Sequence, residues 1–158
     1  MVTRRRELGQ DRTRRRSVPS RRDRRPRDRP APRVRPVLVS QAELIEVIED
    51  SRYASWRTAL GAVQGVYLKA DTNTGQLYVG KADGGDRLLG RWTAYARDGH
   101  GGNLALRHLA GLDPTHARHL VFSVLRVFGP SVPAANVDEA ESHYKRALLT
   151  RQYGLNRN

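Results

Sequence analysis

The chain has 158 residues, with 29 basic and 16 acidic side chains for a net charge of +13, and no cysteine. That length has room for one domain with a tail. The lack of cysteine excludes disulfides, thiolate metal sites and cysteine nucleophiles, and no apolar run approaches the roughly 18 residues needed to span a bilayer.

The charge is unevenly spread. Residues 1–36 hold 15 arginines against Glu7, Asp11, Asp23 and Asp28, a net +11, whereas the remaining 122 residues carry 14 basic and 12 acidic side chains, a net +2. This arm is almost pure Arg, Pro, Asp and Ser, with too little apolar surface to offset the entropy of ordering, and is expected to be disordered. A cationic arm concentrates a polyanion by counterion release, and nucleic acid is the commonest such partner. The plainer reading is a solvated tail. Positive charge with no apolar segment behind it is not a secretory signal, and its prolines and acids oppose the amphipathic helix of a transit peptide. A soluble cytoplasmic protein is the expectation.

Residues 37–60 read as a helical lead-in to a folded domain over 61–158. Ser40 to Asp50 is a predicted helix: Ser40 can cap it, Glu43 completes a capping box, and Leu44, Ile45 and Ile48 form an apolar stripe. A second short helical segment surrounds Tyr53, Trp56 and Leu60. Val63 to Lys69 and Leu77 to Gly80 read as strands joined by a turn containing Asn73-Thr74-Gly75. If Val66, Leu68, Leu77 and Val79 share a core face, the period-2 geometry of strands places Tyr67 and Tyr78 together on the other. Cross-strand aromatic pairs are also ordinary sheet packing.

A glycine-rich loop, Asp83-Gly84-Gly85-Asp86, leads into a predicted helix from Arg87 to Asp98 that Gly99 stops. Leu88, Leu89, Trp92 and Ala96 make its buried stripe, with Arg91 and Tyr95 together on the border. His100 to Asn103 is a turn, and Asn103 can cap a short helix to Ala110. Contact with substrate is the alternative role for His100 and Asn103. Leu120 to Val127 is a third strand, central by its nearly continuous apolar character. A last helix is predicted over Val137 to Thr150, with Asn136 and Glu139 as its capping box and Val137, Ala140, Tyr144 and Leu148 as its core stripe. Glu141 projects inside that stripe, where a carboxylate needs compensation, while Glu139 points to solvent. Lys145, one turn on, is a competing partner for Glu141. His108 and His143 read as surface residues, and no histidine pair has zinc-ligand spacing.

Gly65-Val66-Tyr67, followed by Tyr78-Val79-Gly80, resembles the paired motif of the GIY-YIG nucleases, with Val for Ile in both halves. Lys81 after the second motif, Arg91 and Tyr95 on the next helix, Glu141 on a late helix and Gly154-Leu155-Asn156 at the end extend the resemblance over about residues 60–158. It implies a small α/β fold, a three-stranded antiparallel sheet flanked by helices, and hydrolysis of nucleic-acid phosphodiesters, with DNA the expected substrate. It also implies one divalent ion, Mg2+ or Mn2+, held by the single carboxylate of Glu141. By the same resemblance Tyr67 is the general base or water-orienting group, Tyr78 a hydrogen-bonding partner in the same site, and Arg91 the stabiliser of phosphorane charge. Asn156 would order the site, and Lys81 and Tyr95 would support it. A tyrosine starts near pKa 10, and Lys81, Arg91 and the metal are expected to lower that value by favouring the phenolate. The rival readings are a non-catalytic nucleic-acid-binding module and an RNA-directed nuclease.

The charge division makes the arm testable. Deleting residues 1–36 is expected to weaken nucleic-acid binding and flatten its salt dependence, since each neutralised duplex phosphate contributes about −0.9 to the log–log slope. Affinities measured across a salt series check this. An unchanged slope makes the arm a bystander.

Overall fold

The computed structural model describes residues 37–157, so the arm expected to be disordered lies outside the described residues. Four strands, β1 (Leu38–Ser40), β2 (Gln64–Asp71), β3 (Leu77–Ala82) and β4 (Leu120–Phe128), form one antiparallel sheet in the order β1-β4-β2-β3. Five helices surround it: α1 (Gln41–Glu49), α2 (Ala54–Gly61), α3 (Arg87–Asp98), α4 (Leu104–Leu112) and α5 (Ala134–Ala147).

The expected three-stranded sheet thus gains a strand. Val39 of β1 pairs with Phe122 of β4, flanked by Leu38 with Ser123 and Ser40 with Val121. Three residues are too few to show a period of two, so the lead-in read as helix alone. It is built into the domain: Val39, Leu44, Val47, Tyr53 and Leu60 are all buried in the main core.

The local signals for α1, α3 and α4 act as their chemistry dictates. The Glu43 N–H donates to Ser40 Oγ at 3.2 Å and the Ser40 N–H donates to Glu43 Oε2 at 2.8 Å, completing the capping box of α1. Gly99, at φ 72, ends α3 by donating its N–H to the Tyr95 carbonyl. Asn103 Oδ1 accepts from the Leu106 N–H at 2.9 Å and caps α4. The last helix corrects the prediction. It begins at Ala134 behind Pro133, so Asn136 lies inside it and the Asn136–Glu139 capping box does not form. Pro133, at φ −57, is preset for helix entry and two alanines follow, the best helix formers, so the first turn closes earlier. Leu148, expected in the core stripe, is exposed beyond the helix end.

Both faces of the sheet are covered. Gly65, Tyr67 and Lys69 of β2 share a face with Tyr78, Gly80 and Ala82 of β3. That face carries the larger core, with Leu44, Leu88, Trp92, Tyr95, Leu106, Leu120 and Phe122. Val66 and Val79 point to the opposite face, where Val137 and Ala140 of α5 seal them. β4 is buried at its start, through Leu120 and Phe122, while Arg126 and Val127 near its end are exposed.

Leu44 is completely buried where α1 meets the core. Leu44→Ala is expected to cost about 2–5 kcal/mol, the usual range for emptying a core leucine site. Urea unfolding checks this. A lead-in that were a mere appendage would leave the main transition unmoved.

Candidate active site

The register of β2 on β3 assembles the site. Tyr67 lies opposite Gly80 and Lys69 opposite Tyr78, so the two motif tyrosines meet with ring centroids 6.4 Å apart. The motif glycines are demanded by packing. A β-carbon at position 80 would come 2.5 Å from the Tyr67 Cζ and hydroxyl oxygen, and one at position 65 would come 2.8 Å from the Arg126 carbonyl oxygen. Beside Tyr67 the pairing with β4 slips, since Val66 faces Arg126 while Tyr67 faces Val124. The unpaired Leu125 is a bulge, a feature that re-aims neighbouring side chains.

From α3, Tyr95 joins the two tyrosines. Its hydroxyl is 2.8 Å from that of Tyr67, and the rings pack edge to face with centroids 5.9 Å apart. Tyr95 is fully buried rather than on the helix border. Arg91, one turn before it, is solvent-exposed, and its guanidinium bears on the Tyr67 phenol. Arg91 also lines a cavity of about 390 Å³ with Lys81, Asp83 and the glycine-rich loop.

Arg91 acts on Tyr67 in the expected direction, favouring the phenolate, but it does not set the net shift. Burial pushes this phenol well above its usual value and Tyr78 adds to the rise, outweighing the Tyr95 hydrogen bond and Arg91. Burial likewise raises Tyr95, with Tyr67 and Tyr78 contributing. Lys81, expected to help, instead binds Asp83 at 2.7 Å and also Asp138. Both phenols are therefore held as neutral hydrogen-bonding groups.

The other predicted residues lie apart from this cluster. Glu141 stands on α5, which packs on the opposite face of the sheet through Val137 and Ala140, and its Oε1 is 3.0 Å from Lys145 Nζ. Glu139 is exposed, as its helical phase requires. Asn156 bonds along the outer edge of β3, accepting from the Val79 N–H at 2.9 Å and donating to the Val79 carbonyl at 2.8 Å. His100 and Asn103 organise the α3–α4 turn, where His100 Nδ1 accepts from the Gly102 N–H at 3.0 Å. That bond requires an unprotonated Nδ1, so the nearby Asp98 carboxylate, 3.7 Å away, is not paired to a proton on this nitrogen.

Two residues of the neighbourhood were missed from sequence. Lys69 sits completely buried between Tyr78 and Tyr95. Its signal was available, since the alternation that joins Tyr67 to Tyr78 puts Lys69 on the same inward face. Asp138, which ties α5 to the β3 edge through Lys81, had no signal in the sequence, because the pairing depends on how α5 docks.

The raised phenols set a pH dependence. Tyr67 and Tyr95 ionise near 10 in the unfolded chain and higher in the fold, so the unfolded state releases protons first as pH rises. Their contribution to stability is fully present below pH 10 and is lost above it. Alkaline melts are expected to fall in that range, and less steeply for Tyr67→Phe. A near-ultraviolet titration in which every tyrosine of the intact fold ionises near 10 would contradict this. No known family model, curated protein or solved structure matches the chain.

Proposed function

We propose that the chain is a metal-dependent endonuclease of the GIY-YIG type that hydrolyses nucleic-acid phosphodiester bonds, DNA first among them. The observation that carries this reading is the meeting of Tyr67, Tyr78, Tyr95 and Arg91 over one sheet face, with Arg91 also lining an open cavity. Their order along the chain resembles that family's motif.

Phosphodiester cleavage needs a positioned water, neutralisation of charge on the phosphoryl oxygens, and help for the leaving oxygen. The exposed guanidinium of Arg91 offers a fork that matches a pair of phosphate oxygens. Tyr67 and Tyr95, hydrogen-bonded to each other, would orient the attacking water through neutral phenols. A strong phenolate base does not fit their burial. Asn156, by closing the edge of β3, holds the strand that presents Tyr78.

Among the described residues no three His, Asp or Glu side chains cluster as a metal cage. The resemblance implies an ion bound through one carboxylate and keeping most of its waters, as Mg2+ or Mn2+ can, but Glu141 stands on the helix that covers the other face of the sheet and is already paired with Lys145. Glu141 would hold it by exchanging Lys145 for the ion. Such an ion supplies charge neutralisation and a more acidic water.

One pair of observations favours a second reading, a nucleic-acid-binding module without catalysis: the Glu141 carboxylate is engaged by Lys145, and the Tyr67 hydroxyl lies in the core. Cleavage of plasmid DNA and of structured RNA, with and without magnesium or manganese, separates the two readings and tests RNA as substrate. Tyr67→Phe is expected to slow single-turnover cleavage by roughly 10²-fold, the scale of a positioned acid–base group. Glu141→Gln is expected to abolish cleavage, with Glu139→Gln within a few-fold of the parent. Activity kept in Glu141→Gln but lost in Glu139→Gln would reverse the assignment.

A further inference from the structure

Lys69 is an expensive residue in its place. Its side chain is completely buried, and Nζ has no hydrogen-bond partner. The amine instead lies over two rings, 3.6 Å from the Tyr95 centroid and 4.5 Å from that of Tyr78. Its strand neighbours are Tyr78 on β3 and Phe122 on β4. The charged groups facing it come from α3: Arg91, which opposes a charge on the amine, and Asp98, which favours one. Tyr67 precedes it on the same strand face, and Asp71, which follows, already accepts bonds from Asn73 and Thr74. An apolar side chain of the same length would fill the space without a desolvation penalty, so the amine has no packing justification.

We propose that Lys69 is a positioning residue that couples the binding of an anionic phosphate at Arg91 to the uptake of one proton. The proposal rests on the reading of Arg91 as the phosphodiester contact. With Arg91 unliganded, burial and then the like charge of the guanidinium hold the amine well below its ordinary pKa, which favours the neutral form. A phosphate on Arg91 cancels that repulsion. The amine lone pair then takes a proton from solvent, and the ring faces of Tyr78 and Tyr95 stabilise the resulting ammonium. This insulated charge stands behind the phenols of Tyr67 and Tyr95 and offsets part of the burial that keeps them neutral. Lys69 thus acts through the tyrosines without touching the reacting atoms.

Linkage gives the sign of its cost. The folded-state pKa of Lys69 lies below the unfolded value of 10.5, so the unfolded state binds more protons. Stability falls as pH drops from 10.5 towards the folded value and stays lowered below it. Lys69→Met, which keeps the length and packs favourably on aromatic rings, is therefore expected to melt several degrees higher at neutral pH while losing function.

The experiment uses the full chain, with calcium replacing magnesium, titrated calorimetrically with a short DNA duplex in buffers of different ionisation heat. The wild type is expected to take up a proton on binding, with affinity falling as pH rises. Lys69→Met and Lys69→Leu should show neither effect and should melt above the wild type. Equal uptake in wild type and variants overturns the proposal, as does the absence of uptake in a wild type that binds the duplex. Both variants melting below the wild type would make Lys69 a structural residue and overturn it too. Intact Lys69-dependent uptake in a protein that cuts no nucleic acid with magnesium or manganese would instead refute the nuclease reading alone.

Discussion

The pairing of β2 with β3 sets Tyr67 opposite Gly80 and Lys69 opposite Tyr78, and the chemistry of the domain depends on that register. A slip of one residue would send Tyr67 and Lys69 to the face that α5 covers and bring Val66 and Leu68 to the other. Two features hold the register. The bare backbone of Gly80 leaves room for the Tyr67 ring, which no other residue allows without displacing it. On the outer edge, Asn156 bonds both backbone groups of Val79, so the end of the chain acts as a short clasp on β3. The strand that carries Tyr78 is thereby paired on one side and pinned on the other.

Under α3 the sheet is covered, so Tyr67 and Lys69 point into protein. This makes the tyrosine cluster unlike a surface patch of the same composition. In water three phenols and an amine would each find solvent partners. Here Tyr67 and Tyr95 satisfy one another at 2.8 Å, and Lys69 has only ring faces. Unsatisfied buried groups cost stability, and such departures from a consistent core are concentrated at functional sites in natural proteins. The Trp92 indole nitrogen, on the same helix as Tyr95, is also buried without a hydrogen-bond partner.

Much of this was legible in the sequence because it depends on short-range rules. The capping box of α1, the Gly99 stop, the turn at 73–75 and the Tyr67–Tyr78 pairing all follow from spacing within a strand or a helical turn. The misses share a different cause. β1 is a strand only because β4 offers an edge to it, and α5 starts early because Pro133 opens a turn that the Asn136 cap signal obscured. The depth of Tyr67 could not be read either. Period-2 alternation says which residues share a face, but not whether that face meets water or helices. The expectation of a lowered phenol pKa counted the nearby cations alone, and burial outweighs the lowering that Arg91 supplies.

The division of charge bears on what the tyrosine face can hold. The folded part carries a net +2, so its long-range field is weak and local arrangement decides. Several acidic side chains near the sheet are already engaged: Asp83 and Asp138 by Lys81, Glu141 by Lys145, and Asp71 by Thr74 and the Asn73 backbone. Arg91 meanwhile bears on phenols, groups that carry no charge when buried this way. An exposed guanidinium backed by neutral hydroxyls, with one amine behind them, is complementary to an anion with several oxygen acceptors. It is a poor host for a cation or an apolar ligand. The same arrangement explains why a phosphate could matter to Lys69 without touching it. Lys69 is buried while Arg91 is exposed, so a change of charge at Arg91 reaches the amine with less screening than it would between two groups in water.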